Sequence, residues 1–560
     1  MIRFGSDAIV DLLEAAGIDR VALNPGATFR GIQDSIVQRE DGPELALCMH
    51  ESVAVTVAQG YAKAAGRPMA ALLHNVVGLQ NASMAIYNAW CDRAPMVLIG
   101  GTGPKSKDLR RPWIDWIHTA NSQGEIVRNY TKWDDEPSDM ASVPESFARA
   151  LTATVSEPTG PVYLCYDISL QEDELPDISL DLSLAGYATP TTPAPEPAAL
   201  ERMLAILDGA RSPLILVGHC GTEAADMEAL GRLAESLGAP VLDTGVRLAL
   251  PTEHPLNATG CADLLAEADV VLALDVDDIA LQLGKRFGDE DLTVLAAGLG
   301  SLRLGGWSHD YQTLSPAAVQ VTASTAETVA GLLRLVEPGE KQRRWFEKLA
   351  PRIAAARAER RAAAAAATAE GTVPVQRLVH EVGEALADQP FVLANGTNQR
   401  FELAQWTLDQ PRQYLGWHGG GGLGYGVGAT IGAALAQPEG TIAVDIQADG
   451  DLLFLPSALW TAAHLGVGAL IVVNDNRQYG NTVEHAAKIA KARGRDTGRR
   501  YRGAGLADPP VDIPSMARSY GVWAAESVTD PQELPDTLAE AIAVAASGRP
   551  ALVDVITPGF

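Results

Sequence analysis

The sequence predicts an α/β protein built from three doubly wound parallel-sheet domains. Three observations lead there. At 560 residues the chain is too long for a single core. Short apolar runs of strand length alternate with helical patterns, as expected of parallel strands covered on both faces. Two stretches of different composition divide that alternation into three blocks.

The first block, 1–178, opens with a helix near Ser6–Ala16 and a strand, Arg20–Leu23, that ends in Asn24-Pro25-Gly26. Strands at Met69–Leu73 and Pro95–Ile99 alternate with helices at Glu51–Ala65 and Asn81–Trp90, and Pro161–Leu164 closes the block. A stretch rich in Pro, Thr, Ser and Asp, Leu175–Pro197, reads as a linker. The second block, 190–337, has strands at Pro213–Val217, Pro240–Leu242, Asp269–Leu274 and Thr293–Ala296. A second linker, Pro338–Ala367, reads as a charged helix that turns alanine-rich after Glu359-Arg360-Arg361, with one side facing solvent. The third block, 372–560, has strands at Phe391–Ala394, Thr441–Gln447, Ala469–Val473 and Ala551–Val555.

Composition narrows the classes. A net charge of −27 argues against a general nucleic-acid binder, which needs a basic surface. Five scattered cysteines with no CxxC or Cys/His spacing argue against a zinc site or a disulfide framework. Residues Met1–Asp7 lack the basic and apolar regions of a signal peptide, and no run reaches the roughly 18 apolar residues of a membrane span. The expectation is a cytoplasmic protein with no membrane or nucleic-acid partner.

The third block carries the most chemistry. Strand Thr441–Gln447 ends in Ala448-Asp449-Gly450-Asp451, and strand Ala469–Val473 ends in Asn474-Asp475-Asn476-Arg477-Gln478. In a right-handed βαβ unit both ends open on one sheet edge, so Asp449 and Asn476 converge although 27 positions apart. A carboxylate and an amide oxygen are hard ligands suited to Mg²⁺, which completes its shell with phosphate oxygens and water. Gly450 would let backbone approach a phosphate. Alone, an Asp-Gly after a strand is an ordinary turn; order, spacing and flanking strands together favour a magnesium-diphosphate site.

This segment resembles the signature of thiamin diphosphate (ThDP)-dependent enzymes, Gly-Asp-Gly followed by Asn-Asn, with a benzoylformate decarboxylase or acetolactate synthase-like run at Ser457–Ala463. The resemblance implies the ThDP-binding fold, with a pyrimidine-binding, a central and a diphosphate-binding domain. It assigns the metal to Asp449, Asn476 and the carbonyl of Gln478. Two departures stand out: Ala448 replaces the first Gly of the signature and Asp475 the first Asn.

Other matches extend the resemblance. Glu51, in His50-Glu51-Ser52, matches the acid that promotes the reactive form of ThDP. Gly421 and Leu423, in Gly421-Gly422-Leu423-Gly424-Tyr425, match the pair that contacts the aminopyrimidine and holds the cofactor bent. Gly26, Asn81, Thr397, Gly450 and Asp451 complete the implied cofactor contacts. His74 matches an active-site histidine, but Ala27 stands where benzoylformate decarboxylase has a substrate-facing serine, and a second histidine has no counterpart in the middle block. His118 and His418 are further candidates, since histidine can shuttle protons near neutral pH; a structural role is the competing reading for both. Glu484 resembles, in rough position, a catalytic acid of pyruvate decarboxylases, and a surface helix acid is the plainer reading.

The implied activity is a C–C lyase or carboligase on a 2-oxo acid, passing through an enamine to an aldehyde or an acyloin. A basic run from Lys488 to Arg502 follows the metal motif and suggests a lid for an anionic substrate, so an acyl-CoA lyase is an alternative, as is an acetolactate synthase-like transferase. Some acetolactate synthase relatives hold FAD centrally, and no decisive FAD motif is present here. A nucleotide-dependent oxidoreductase would fit the three blocks but lacks a convincing dinucleotide fingerprint. The resemblance also implies a homodimer or homotetramer, Glu51 of one subunit meeting ThDP held by another.

Overall fold

A computed structural model describes residues 3–303, 313–337 and 339–559. Met1, Ile2 and Pro338, which begin two of the segments read above, lie outside the described residues, as does Phe560.

Three parallel sheets are present. The first contains β1 (Arg20–Leu23), β2 (Glu44–Leu47), β3 (Met69–Leu73), β4 (Met96–Thr102), β5 (Asp134–Asp135) and β6 (Pro161–Asp167), in the order β2-β1-β3-β4-β6-β5. The second contains β7 (Pro213–Val217), β8 (Val241–Asp243), β9 (Val270–Leu274), β10 (Thr293–Gly298) and β11 (Val319–Thr322), in the order β11-β10-β9-β7-β8. The third contains β12 (Phe391–Asn395), β13 (Ile442–Ala448), β14 (Ala469–Asp475), β15 (Trp523–Ala524) and β16 (Ala551–Ile556), in the order β12-β13-β14-β16-β15. β3, β4, β6, β7 and β9 are buried along their whole length, which is why they read as continuous apolar runs. The strands that pattern did not reveal lie at sheet edges. β2 is half exposed, β11 alternates buried and exposed residues, and β5 and β15 are two residues long.

The second linker is one helix, Glu340–Ala365, strapped to the central domain. Leu349 and Ile353 enter the central core, Arg352 pairs with Asp263 and Glu267, and Arg357 pairs with Glu253 at 3.1 Å.

The first and third domains meet through helices Glu51–Ala65 and Gly426–Ala436, which pack more extensively than any other two elements among the described residues. The approach is close because Gly60, Gly428 and Gly432 face the partner helix with no side chain. A Cβ on Gly432 would overlap the Val57 carbonyl oxygen, and one on Gly60 would overlap that of Ala429. This crossing fixes the helix whose first residue is Glu51.

Candidate active site

Helix Glu51–Ala65 starts where the His50 side chain accepts the Ser52 N–H, and ends at Gly66 in the left-handed conformation (φ 70°). Its first residue, Glu51, is 6% exposed, and Glu51 Oε2 accepts a hydrogen bond from Asn81 Nδ2 at 3.1 Å. A Cβ added to Gly78 would lie 3.1 Å from Glu51 Oε1 and 2.9 Å from His74 Cβ, so His74 is Glu51's near neighbour.

His74 follows β3. Its Nδ1 is hydrogen-bonded to Thr28 Oγ1 at 3.0 Å, and no described residue partners Nε2. The His118 ring stands edge-on to it, centroids 5.8 Å apart. Burial first, and then the His118 charge, lower the His74 pKa, and Glu51 opposes them. Gly26 packs against the same ring: a Cβ there would stand 2.8 Å from His74 Cγ and Nδ1. Gly26, Glu51, His74, Asn81 and His118 therefore form one cluster at the carboxyl edge of the first sheet. Thr28, which hydrogen-bonds His74 Nδ1, carried no sequence signal beyond its place in a strand-end loop.

The second cluster lies where β13 and β14 end side by side, Ala448 opposite Asn474. Asp449 is 1% exposed, and its Oδ1 has no hydrogen-bond partner. Burial, then the charge of neighbouring Asp475, push its carboxyl up to about 7. A buried, unpartnered carboxylate beside a second one is a setting that a divalent cation would stabilise. Asn476 Oδ1 accepts the Gln478 N–H at 3.1 Å, and Gln478 Nε2 is buried without a partner. The described residues contain no group of three His, Cys, Asp or Glu side chains suited to a metal. That agrees with a ligand set of one carboxylate, one amide and a backbone carbonyl, completed by phosphate. These residues fit Mg²⁺ with a diphosphate: Asp449, Asn476 and the Gln478 carbonyl would hold the metal.

Three of the expected cofactor residues also make contacts within the chain. The space beside Gly450 is taken by the Tyr479 ring, which a Cβ would meet at 2.7 Å, so that glycine accommodates an aromatic ring. Asp451 Oδ1 already accepts the Gly424 N–H at 2.6 Å, which ties the metal loop to the glycine run. Thr397 is likewise engaged, its N–H donating to buried Glu402 at 2.7 Å. Within the glycine run Gly421 has φ 72°, which favours glycine, and Leu423 is 37% exposed.

His418 does not join the histidine cluster. It is 3% exposed, lies against Trp417 and Tyr425, and is pushed down to about 4 by burial and then by Lys63. Its surroundings are those of a packed, buried ring. Glu484 is an exposed helix acid paired with Lys488 at 2.7 Å. The basic run spans the end of helix Gly480–Ala492 and the exposed segment after it.

The central sheet is tied to the first domain by charged pairs. At its carboxyl edge Asp275 and Asp277 pair with Arg93 of the first domain at 2.6 and 3.1 Å, and His219 pairs with Asp277 at 2.8 Å. Arg303 donates to the Trp90 carbonyl at 2.6 Å. An interdomain contact fills the position where open α/β sheets take nucleotides.

No hydrogen bond or ion pair among the described residues links the Glu51 cluster to the Asp449 cluster. Between the two domains a cleft of about 770 Å³ is lined by Asn81 and Met84 on one side and Leu423 and Phe454 on the other.

Comparison with known proteins bears on the whole chain. Residues 3–126 match the N-terminal TPP binding domain of thiamine pyrophosphate enzymes, 200–298 their central domain and 394–555 their C-terminal TPP binding domain. The chain is 27% identical to the benzoylformate decarboxylase of Pseudomonas aeruginosa over 98% of both proteins. It is 24% identical to acetolactate synthase 3 of Brassica napus over 99% of this chain and 84% of that protein. The fold is that of the ThDP-dependent 4-hydroxybenzoylformate decarboxylase of Rhodococcus jostii, with a TM-score of 0.78, 21% identity, and 100% and 99% of the two chains covered.

Proposed function

The chain belongs to the thiamine pyrophosphate enzymes, and from that premise we propose that it is a ThDP- and Mg²⁺-dependent decarboxylase or carboligase acting on a 2-oxo acid. The observation that carries the proposal is the buried Asp449 carboxylate at the ends of β13 and β14, whose Oδ1 has no hydrogen-bond partner. It is supported by the Glu51–His74–His118 cluster at the corresponding edge of the first sheet. When bound, ThDP supplies an electron-accepting carbon that stabilises the charge left as CO₂ departs.

The chain's own groups do the rest. Asp449, Asn476 and Gln478 anchor the metal and with it the diphosphate. Leu423, exposed on the cleft, would support the cofactor, and Glu51, fixed by Asn81, would be the acid that hydrogen-bonds its pyrimidine ring. Thr28 orients His74 so that Nε2 faces the reacting carbonyl, where a neutral imidazole donates or accepts a hydrogen bond at neutral pH. His118 stands edge-on to His74, and after burial its charge is what lowers the His74 pKa.

The functional unit on this reading is at least a homodimer. Exposed Met49, Val77 and Met84 on the first domain and Leu423 and Phe454 on the third make the cleft edges apolar, as an interface requires. A second copy would bring its Asp449 cluster to this Glu51. One specific observation keeps an acyl-CoA substrate as a second reading. Arg493, Arg495 and Arg502 are exposed, follow the metal loop, and have no ion-pair partner among the described residues.

Calorimetry with ThDP and Mg²⁺, then product identification over 2-oxo acids and 2-hydroxyacyl-CoAs, tests the reading. Glu51→Gln and Asp449→Asn should each be inactive, and co-refolding them should restore part of the activity. Failure to bind ThDP, or full activity in Glu51→Gln, would refute it.

A further inference from the structure

All three domains meet around a second cavity, of about 260 Å³, which the catalytic reading does not use. Lys63, Arg93 and Glu157 reach it from the first domain, Glu223 and Arg247 from the central one, and Arg412 from the third. Three of these cations have acidic partners. Lys63 Nζ lies 2.8 Å from Asp92, Arg93 2.6 Å from Asp275, and Arg412 2.9 Å from Glu223. Arg247 has neither a hydrogen bond nor an ion pair with any described residue, and it faces the like charges of Arg93 and Arg412. Arg93 Nε, on another lining residue, is a buried donor with no acceptor. Glu157 stands exposed in the lining and has no ion pair with Arg247.

A guanidinium inside a protein is stable only when an anion or hydrogen-bond acceptors take its N–H groups. Of the acids whose charge attracts Arg247, Asp92 is committed to Lys63, and Glu157 stands nearby without pairing with it. We propose that this three-domain junction is a binding site for a small oxyanion, a carboxylate or phosphate group held in two hydrogen bonds by the Arg247 fork. The cavity far exceeds the roughly 10–15 Å³ that one water needs on this measure. It is also below the roughly 300–1,000 Å³ of sites for drug-sized ligands. That range suits an inorganic anion or a carboxylic acid of a few carbons. Because the lining comes from every domain, the bound anion fastens the three together.

The test uses full-length protein saturated with ThDP and Mg²⁺, so that the diphosphate position is filled. Sodium phosphate and sodium lactate are titrated separately at ionic strength held constant with NaCl. Either anion should raise the apparent Tm in a saturable way, by about 2 °C or more. A rise with lactate assigns a carboxylate site, and a rise with phosphate a phosphoryl-type site. Arg247→Gln, compared with its own anion-free baseline, should lose the rise. Glu157→Gln should keep or enlarge it, since a nearby negative charge is removed. Should Arg247→Gln not fold, Arg247→Lys keeps the charge without the fork, and calorimetry should give binding about tenfold weaker. No rise beyond the NaCl control, a rise that survives in Arg247→Gln, or undiminished binding by Arg247→Lys would each overturn the proposal.

Discussion

Three glycine-to-alanine substitutions at the crossing of helices Glu51–Ala65 and Gly426–Ala436 should differ in cost according to what the new methyl meets. On Gly432 it would overlap the Val57 carbonyl oxygen and stand 2.6 Å from Tyr61 N; on Gly60 it would overlap the Ala429 oxygen and stand 2.6 Å from that residue's Cα. Carbon contacts settle at about 3.5–4.0 Å, so the helices would have to part by on the order of 1 Å. Neither obstacle can rotate away, because both are backbone. Overpacking of this kind costs about 1–3 kcal/mol, sometimes more, and the better helix propensity of alanine returns only about 0.5–1 kcal/mol. Gly432→Ala and Gly60→Ala should therefore each lose about 2 kcal/mol. On Gly428 the methyl overlaps only the Thr56 hydroxyl, which a χ1 change can move aside, and stands 2.9 Å from Thr56 Cβ, a contact that a small backbone shift relieves. Gly428→Ala should cost under about 1 kcal/mol after the propensity gain. Apparent Tm by circular dichroism at one scan rate reads the ranking, with drops of about 4 °C or more for the first two. Equal losses at all three positions, or a stabilised Gly432→Ala, would refute a crossing limited by backbone contact.

The other predictions concern the site and its surroundings. Gly26→Ala places a methyl 2.8 Å from the His74 ring and should pull that ring off Thr28; kcat/KM for the best 2-oxo acid should fall about 100-fold while ThDP affinity stays within about twofold. His418, neutral in the fold down to about pH 4 but protonated below about 6.5 when unfolded, makes the unfolded state the better proton binder between those values, so its contribution to stability is lost as pH falls through that window. Urea midpoints of His418→Gln should consequently decline less between pH 6.5 and 4 than those of the parent, a difference on the order of 3 kcal/mol at its largest. Reversing the exposed charges with Arg493→Glu and Arg495→Glu should raise KM for an acyl-CoA severalfold and leave KM for a small 2-oxo acid unchanged, which steady-state kinetics on both substrates would separate.

Much of the scaffold could be read because its signals are local. Helix Glu51–Ala65 has its cap at His50 and its stop at Gly66 written beside it, and β9 and β14 are buried runs long enough to declare themselves. β2 and β11 escaped because an edge strand keeps one side in water and loses the continuous apolar pattern. In the site, Asp449 and Asn476 were placed by chain order and spacing, since a parallel crossover brings both strand ends to one edge. The partners of the neighbouring residues were not legible. Tyr479 over Gly450, Gly424 on Asp451 and Thr28 on His74 are contacts made across loops, and a loop's sequence does not state which backbone group it will meet. The surroundings of His418 were not legible for a related reason: its pKa is lowered by burial and then by Lys63, several hundred residues away in sequence.

The loop after β1 bears on the substrate. Ala27 stands where the resembling benzoylformate decarboxylase has a substrate-facing serine, so this loop has no hydroxyl at that position. The hydroxyl one residue on, Thr28, is spent on His74 Nδ1. The loop thus orients the histidine without reaching beyond it. Arg111, on the segment leading to His118, pairs with Asp115 at 2.9 Å through Nη2 and also through Nε, which leaves Nη1 unengaged among the described residues. A substrate carboxylate bound beside His74 has donors other than a loop hydroxyl to draw on: Arg111 Nη1, His118, backbone N–H groups, or a second copy across the cleft. Each of those sources differs from a serine hydroxyl in reach and direction. With alanine at position 27 and the Thr28 hydroxyl engaged on His74, a substrate panel should extend well beyond benzoylformate.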